Sequence, residues 1–183
     1  KRAVVDITVS VKCRIGVDSC DSFEYLNDFI RMMFNSGLDF IIFHARNGML
    51  NLTPKKNRLI PKIDYNMVYK IKERYPNKRV GLNGNITSLS QVIEHLKIVD
   101  HVMIGRKAYS NPMLFGEIEG FLSGKKDGIF DPSEVFFSFI TYLEEQTKHC
   151  NFDINRIIQH ITNLLHGWKD IKKFYKHLHS YNH

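Results

Sequence analysis

Between Arg79 and Tyr109 the chain sets out a short apolar run ending in Asn83-Gly84-Asn85, a helix signal from Thr87 to Lys97, and a second apolar run ending in Gly105-Arg106. This is the pattern of one strand–helix–strand unit, which joins parallel strands by a right-handed crossover. Both apolar runs finish in a glycine beside polar side chains. At the carboxyl ends of parallel strands, helix N-termini point their N–H groups at one rim, so these two tips predict a seat for a phosphate-bearing cofactor.

The same pattern repeats upstream. Ile7 to Val11 alternates β-branched with other residues and runs into Lys12-Cys13-Arg14-Ile15-Gly16, a strand closed by a polar loop. Asp21 or Ser22 caps a helix with Phe23, Leu26, Phe29, Ile30 and Met33 on its apolar side, ended by Gly37. Phe40-Ile41-Ile42-Phe43 is a second strand stopping at His44-Ala45-Arg46. A loop to Lys62 follows, and Asp64 caps a helix that Pro76 stops. Val80–Leu82 and Val102–Ile104 are the third and fourth strands. His44 and Arg46, one residue apart, are expected to share one side of an extended segment and face the strand-end pocket, whereas Cys13 is expected to point away from Lys12 into the core.

Four strands at spacings of about 30 to 40 residues, each tipped with polar side chains, predict either an open α/β sheet or the second half of something longer, such as a (β/α)8 barrel. A sheet of this size leaves two edges open, which predicts a longer parent fold, a homodimer through the exposed edges, or exchange of elements between copies. After Asn111-Pro112 the chain turns helical. Pro112 to Leu122 reads as a short helix, Ser123 to Ile129 as a linker, and Asp131-Pro132-Ser133-Glu134 as a capped helix start. Further helices are expected from Asp153 to Gly167 and from Trp168 to Leu178. The expected division is therefore residues 1–122, a partial barrel, and 123–183, a helical bundle.

Charge is uneven along the chain. Ten basic residues stand against Asp64 and Glu73 between Arg46 and Arg79, a local excess larger than the whole chain's +7. Either a solvated lysine-rich surface or a face for a polyanion accounts for this, because clustered Lys and Arg gain affinity by releasing counterions from phosphates. No apolar run reaches the roughly 20 residues of a spanning helix, so no membrane partner is expected. Three cysteines without a CxxC pair point to reduced thiols in an intracellular, cytoplasmic setting. The tail histidines carry no HExxH or Cys/His set, and no metal is expected.

The stretches VKCRIGVDSCDSFEYL, HARNGMLNLTPKKNRLIPKIDY, LNGNI and GRKAYSNP together resemble the back half of the tRNA-dihydrouridine synthases, closest to the A-type bacterial branch, from about Val9 to Phe115. The tail IIQHITNLLHGWKDIKKFYKHL is more loosely similar to that family's helical tRNA-binding domain. The resemblance implies an FMN-containing (β/α)8 barrel followed by a helical domain. In such enzymes reduced flavin, recharged by NADPH, passes hydride to C6 of a uridine in the tRNA D-loop while a cysteine protonates C5.

Carried onto this sequence, the resemblance implies that Lys12 and His44 lie against the flavin rings and that Asn83, Gly84, Asn85, Gly105 and Arg106 surround its phosphate. It implies also that Arg46, Lys55, Lys56, Asn57 and Arg58 meet tRNA. Asn85 stands where the family usually has Gly, which is expected to crowd the phosphate or alter the turn. The family's first four strands and its protonating cysteine precede the segment aligned with Val9, and neither Cys13 nor Cys20 matches that position. The chain is therefore expected to be partial, to hold no catalytic residue of its own, to bind FMN weakly or not at all, and to be inactive alone. A non-catalytic tRNA-binding module is the alternative, and an unrelated phosphate-binding α/β enzyme a third.

Overall fold

The computed structural model describes residues 7–124, 131–148 and 162–165. Four strands, β1 (Ser10–Arg14), β2 (Phe40–His44), β3 (Arg79–Asn83) and β4 (His101–Met103), form one sheet in chain order. Every neighbouring pair is parallel. The four carboxyl ends therefore share one edge, as the polar tips require, and β1 and β4 are the open sides of the sheet.

Register decides what each face presents. Lys12, Ile42, Gly81 and His101 form one row across the sheet, and Arg14, His44, Asn83 and Met103 form the row at its carboxyl end. Because side chains alternate along a strand, both rows lie on the same face. The opposite face carries Ile41, Phe43, Val80 and Leu82, all fully buried, with Val11, Cys13 and Val102 packed beside them.

Two helices cover that opposite face. α1 (Phe23–Asn35) contributes Leu26, Ile30 and Phe34, and α3 (Tyr65–Arg74) contributes Val68 and Ile71. Their starts are fixed by side-chain caps, Ser22 Oγ accepting from the Tyr25 N–H at 3.2 Å and Asp64 Oδ1 from the Met67 N–H at 3.1 Å. α4 (Leu89–Leu96) is capped in the same way by Ser88 and is shorter than the Thr87–Lys97 expectation. At the amino-terminal edge, the Asp100 carboxylate accepts from the Val80 N–H at 2.8 Å and pairs with Lys72 at 2.7 Å, tying α3 to the starts of β3 and β4.

The loop expected up to Lys62 contains a further turn of helix, α2 (Pro54–Asn57), capped by Thr53. Its four residues bury nothing, so it has no apolar periodicity to announce it. The fourth strand ends at Met103, one residue before the expected limit.

The chain divides into two compact units, Lys1–Gly105 and Arg106–His183. Residues Pro112 to Leu122, grouped with the barrel on sequence, thus fall in the second unit. That unit opens with α5 (Arg106–Ser110), then α6 (Leu114–Leu122) and α7 (Pro132–Thr147), the last capped by Asp131 at 2.8 Å from the Ser133 N–H. Phe136 is buried against Phe139, Ile140 and Leu164, the last within a 3-10 turn at Thr162–Leu165. Residues 125–130 of the expected linker, and both tail helices apart from that turn, lie outside the described residues.

Candidate functional site

Parallel pairing brings His44 and Asn83 side by side at the carboxyl ends of β2 and β3. Lys12 lies on the same face, one row below Arg14, and is exposed. Asn83 is buried, and its Nδ2 donates to the Met103 carbonyl at 2.7 Å, so the amide binds the tip of β3 to the tip of β4 and keeps one hydrogen in reserve.

The turn after β3 is built for close approach. Gly84 has φ +136, and a Cβ there would sit 3.2 Å from His44 Cδ2, so the imidazole lies directly against this backbone. Asn85 has φ +51. This is the left-handed region, where asparagine is the best tolerated residue after glycine. The Asn85 side chain is exposed. Gly105 faces open space: the nearest atom to a Cβ built on it is Asn83 Nδ2, at 3.8 Å. Arg106 follows it directly in the chain and begins the second unit.

A residue unremarked in the sequence holds this turn in place. Tyr65, the first residue of α3, donates its hydroxyl to the Gly84 carbonyl at 2.6 Å. Behind it His95 is buried, its ring edge-on to Tyr65 at 4.5 Å and its Nδ1 hydrogen-bonded to the Tyr69 hydroxyl at 2.7 Å. Burial holds the His95 pKa below the usual imidazole value despite the opposing pull of Glu94.

Arg46 departs from the expected arrangement. Its N–H donates to the His44 carbonyl at 2.6 Å, a three-residue turn centred on the buried Ala45, so the segment is not extended there. Arg46 then pairs with Ile63 in an antiparallel bridge and its guanidinium donates to the Pro61 carbonyl. The alternation that would have kept it beside His44 ends with the strand.

The basic loop is a built platform. Lys55, Lys56 and Arg58 are exposed on and just after α2 and have no salt bridge among the described residues. Asn57 is spent inside the loop: its Oδ1 accepts from the Met49 N–H at 2.8 Å, and its Nδ2 donates to the Met49 and Leu52 carbonyls at 2.6 and 2.9 Å. Arg14 closes the loop onto β1, with Nη1 donating to the Asn47 carbonyl at 2.7 Å and the Asn57 carbonyl at 3.3 Å. Burial, followed by repulsion from Arg46 and Arg58, lowers the Arg14 pKa.

Cys13 lies on the core face, as expected, and burial pushes its thiol up to about 11. It is a protonated packing group. Cys20 is exposed in the β1–α1 loop.

Comparison with known proteins gives this geometry a context. A family model described as "Dihydrouridine synthase (Dus)" matches residues 1–183. A tRNA-dihydrouridine(20/20a) synthase of Shewanella oneidensis is 37% identical over 178 residues, covering 97% of this chain and 53% of the relative. Synthases of the same name from Haemophilus ducreyi (37% over 176 residues) and Synechocystis sp. (38% over 164 residues) are similar to it too, each covered to about half its length, 54% and 49%.

Proposed function

The chain belongs to the dihydrouridine synthase family, a family of flavin-dependent oxidoreductases with a TIM-barrel fold, and we propose that it is the carboxyl-terminal half of a tRNA-dihydrouridine synthase. It spans about half the length of the curated relatives it matches. On this reading its four strands are half of the ring, and the whole enzyme reduces uridine to dihydrouridine in the tRNA D-loop with FMN and NADPH.

The observation that carries the proposal is the meeting of His44, Gly84, Asn83 and Gly105 at adjacent strand tips. The tips of β3 and β4 fit a flavin phosphate: Gly105 leaves the backbone approachable, the buried Asn83 amide has a hydrogen to give, and no carboxylate belongs to the turn. FMN bound there supplies hydride chemistry that no side chain of this chain can. Lys12 on the same face contributes a cation toward an electron-rich ring, against which the family resemblance also sets His44. Lys55, Lys56 and Arg58, with Arg46 nearby, neutralise tRNA phosphates. The proton for C5 is assigned, by the family resemblance, to a cysteine ahead of the segment aligned with Val9, and Cys13, facing the core, is not placed to give it.

The test is reduction of an unmodified D-loop tRNA transcript by the whole enzyme containing this chain, with NADPH as reductant and dihydrouridine scored by mass spectrometry. Uridine gaining two hydrogens, and losing that gain when Lys12→Ala is introduced, is the expected result. A whole enzyme that retains tRNA without reducing it would favour a binding module instead.

A further inference from the structure

The loop after β2 is fastened to the loop after β1 at two places, and they differ in what they hold. Residues 47–50 are held by several bonds: Gly48 N–H to the Gly16 carbonyl at 2.9 Å, Asp18 N–H to the Gly48 carbonyl at 2.6 Å, Asn47 Nδ2 to the Asp18 carbonyl at 2.6 Å, and Leu50 N–H to Asp18 Oδ1 at 2.9 Å. Residues 53–58 carry the cations. Among the described residues their one hydrogen bond to the sheet is from Arg14 Nη1 to the Asn57 carbonyl, the group joined covalently to Arg58. The same nitrogen also holds Asn47, the residue after Arg46. Gly48 admits this arrangement, since a Cβ there would press on Arg14 Cδ at 3.1 Å.

We propose that Arg14 is the positioning residue of the RNA platform: one guanidinium nitrogen bridges both limbs of the loop and sets Lys55, Lys56 and Arg58 at a fixed place beside the strand tips. This rests on the reading of that loop as the tRNA-facing one. Arg14 acts through the platform, holding it to the sheet while the Asn57 side chain ties it to Met49 and Leu52, so removing Arg14 displaces three cations together rather than deleting one.

Salt dependence separates the two roles. Each phosphate neutralised contributes about 0.7 to 0.9 to the slope of log K against log salt. Binding of a D-loop tRNA transcript to the full chain is measured by fluorescence anisotropy over a potassium chloride series for the wild type, Arg14→Met, Arg14→Lys and the triple variant Lys55→Ala/Lys56→Ala/Arg58→Ala. Positioning predicts that Arg14→Met flattens the slope by about 2, more than its own single charge. Arg14→Lys, too short to span both carbonyls, flattens it too although its charge is kept, and adding Arg14→Met to the triple variant changes little. A slope loss of about 1 for Arg14→Met, none for Arg14→Lys, and an undiminished loss in the triple background would show a direct phosphate contact and overturn the proposal. Loss of the native circular dichroism spectrum in both single variants overturns it too, by making Arg14 a residue of the fold. A wild-type chain with no salt-dependent tRNA binding removes the RNA reading itself, a failure distinct from an Arg14 that merely leaves the slope unmoved.

Discussion

Replacing Gly84 by Ala tests how tightly the turn after β3 is determined. Gly84 has φ +136, a conformation that costs an L-residue about 1–3 kcal/mol. The added Cβ also meets His44 Cδ2 at 3.2 Å and the Ala45 nitrogen at 3.5 Å, so the imidazole must retreat by a few tenths of an ångström. Against this, Ala restricts the unfolded chain and returns about 0.4–1 kcal/mol. The net expectation is a loss of about 2 kcal/mol, read as a lower urea midpoint at unchanged slope. Gly124→Ala is the control: Gly124 has φ +66, and a Cβ there would meet no atom within 4 Å, so the substitution brings backbone strain without the contact and is expected to lose less. A Gly84→Ala variant within about 0.5 kcal/mol of wild type, or one no worse than Gly124→Ala, would refute this reading of the turn.

Two further outcomes follow from the groups behind that turn. Tyr65→Phe removes the hydroxyl that donates to the Gly84 carbonyl and is expected to cost about 1–2 kcal/mol by urea unfolding; no change in midpoint would mean the bond is not stabilising. His95 is held neutral by burial, so its folded pKa lies below the unfolded one, and stability is complete above about pH 6.5 and falls as the unfolded chain takes up a proton that the folded chain refuses. His95→Gln is expected to show a smaller fall in urea midpoint between about pH 7.5 and 5.5; an identical fall would assign the titration elsewhere.

The strands were legible because each is a short run of β-branched and aromatic residues closed by polar ones, and burial of one face enforces that alternation in Ile41, Phe43, Val80 and Leu82. Asp64 and Asp131 were legible as caps, and Ser22 as one of two candidates with Asp21, because capping is chemistry within three residues. What escaped was non-local. Tyr65 meets Gly84 across 19 residues, and Arg14 meets Asn57 across 43, and neither spacing leaves a periodic trace. Arg46 was misplaced for a related reason: strand alternation was extended one residue past Ala45, where a hydrogen bond back to His44 turns the chain toward Ile63. The signal available for Arg14 was its place in the row of polar strand tips, two residues beyond Lys12 on the same face. Asn57 shows the opposite case, a polar residue in a basic loop whose amide is consumed by the loop's own backbone.

The most direct measurement joins the amino-terminal half of the Shewanella oneidensis relative to this chain and records the visible spectrum of the purified chimaera with and without Asn83→Ala and Gly84→Val. A yellow protein that releases its flavin when either tip residue is changed is the predicted result. A chimaera that keeps its flavin unaltered through both substitutions, or folds and never takes flavin up, would contradict the placement of the phosphate at the tips of β3 and β4.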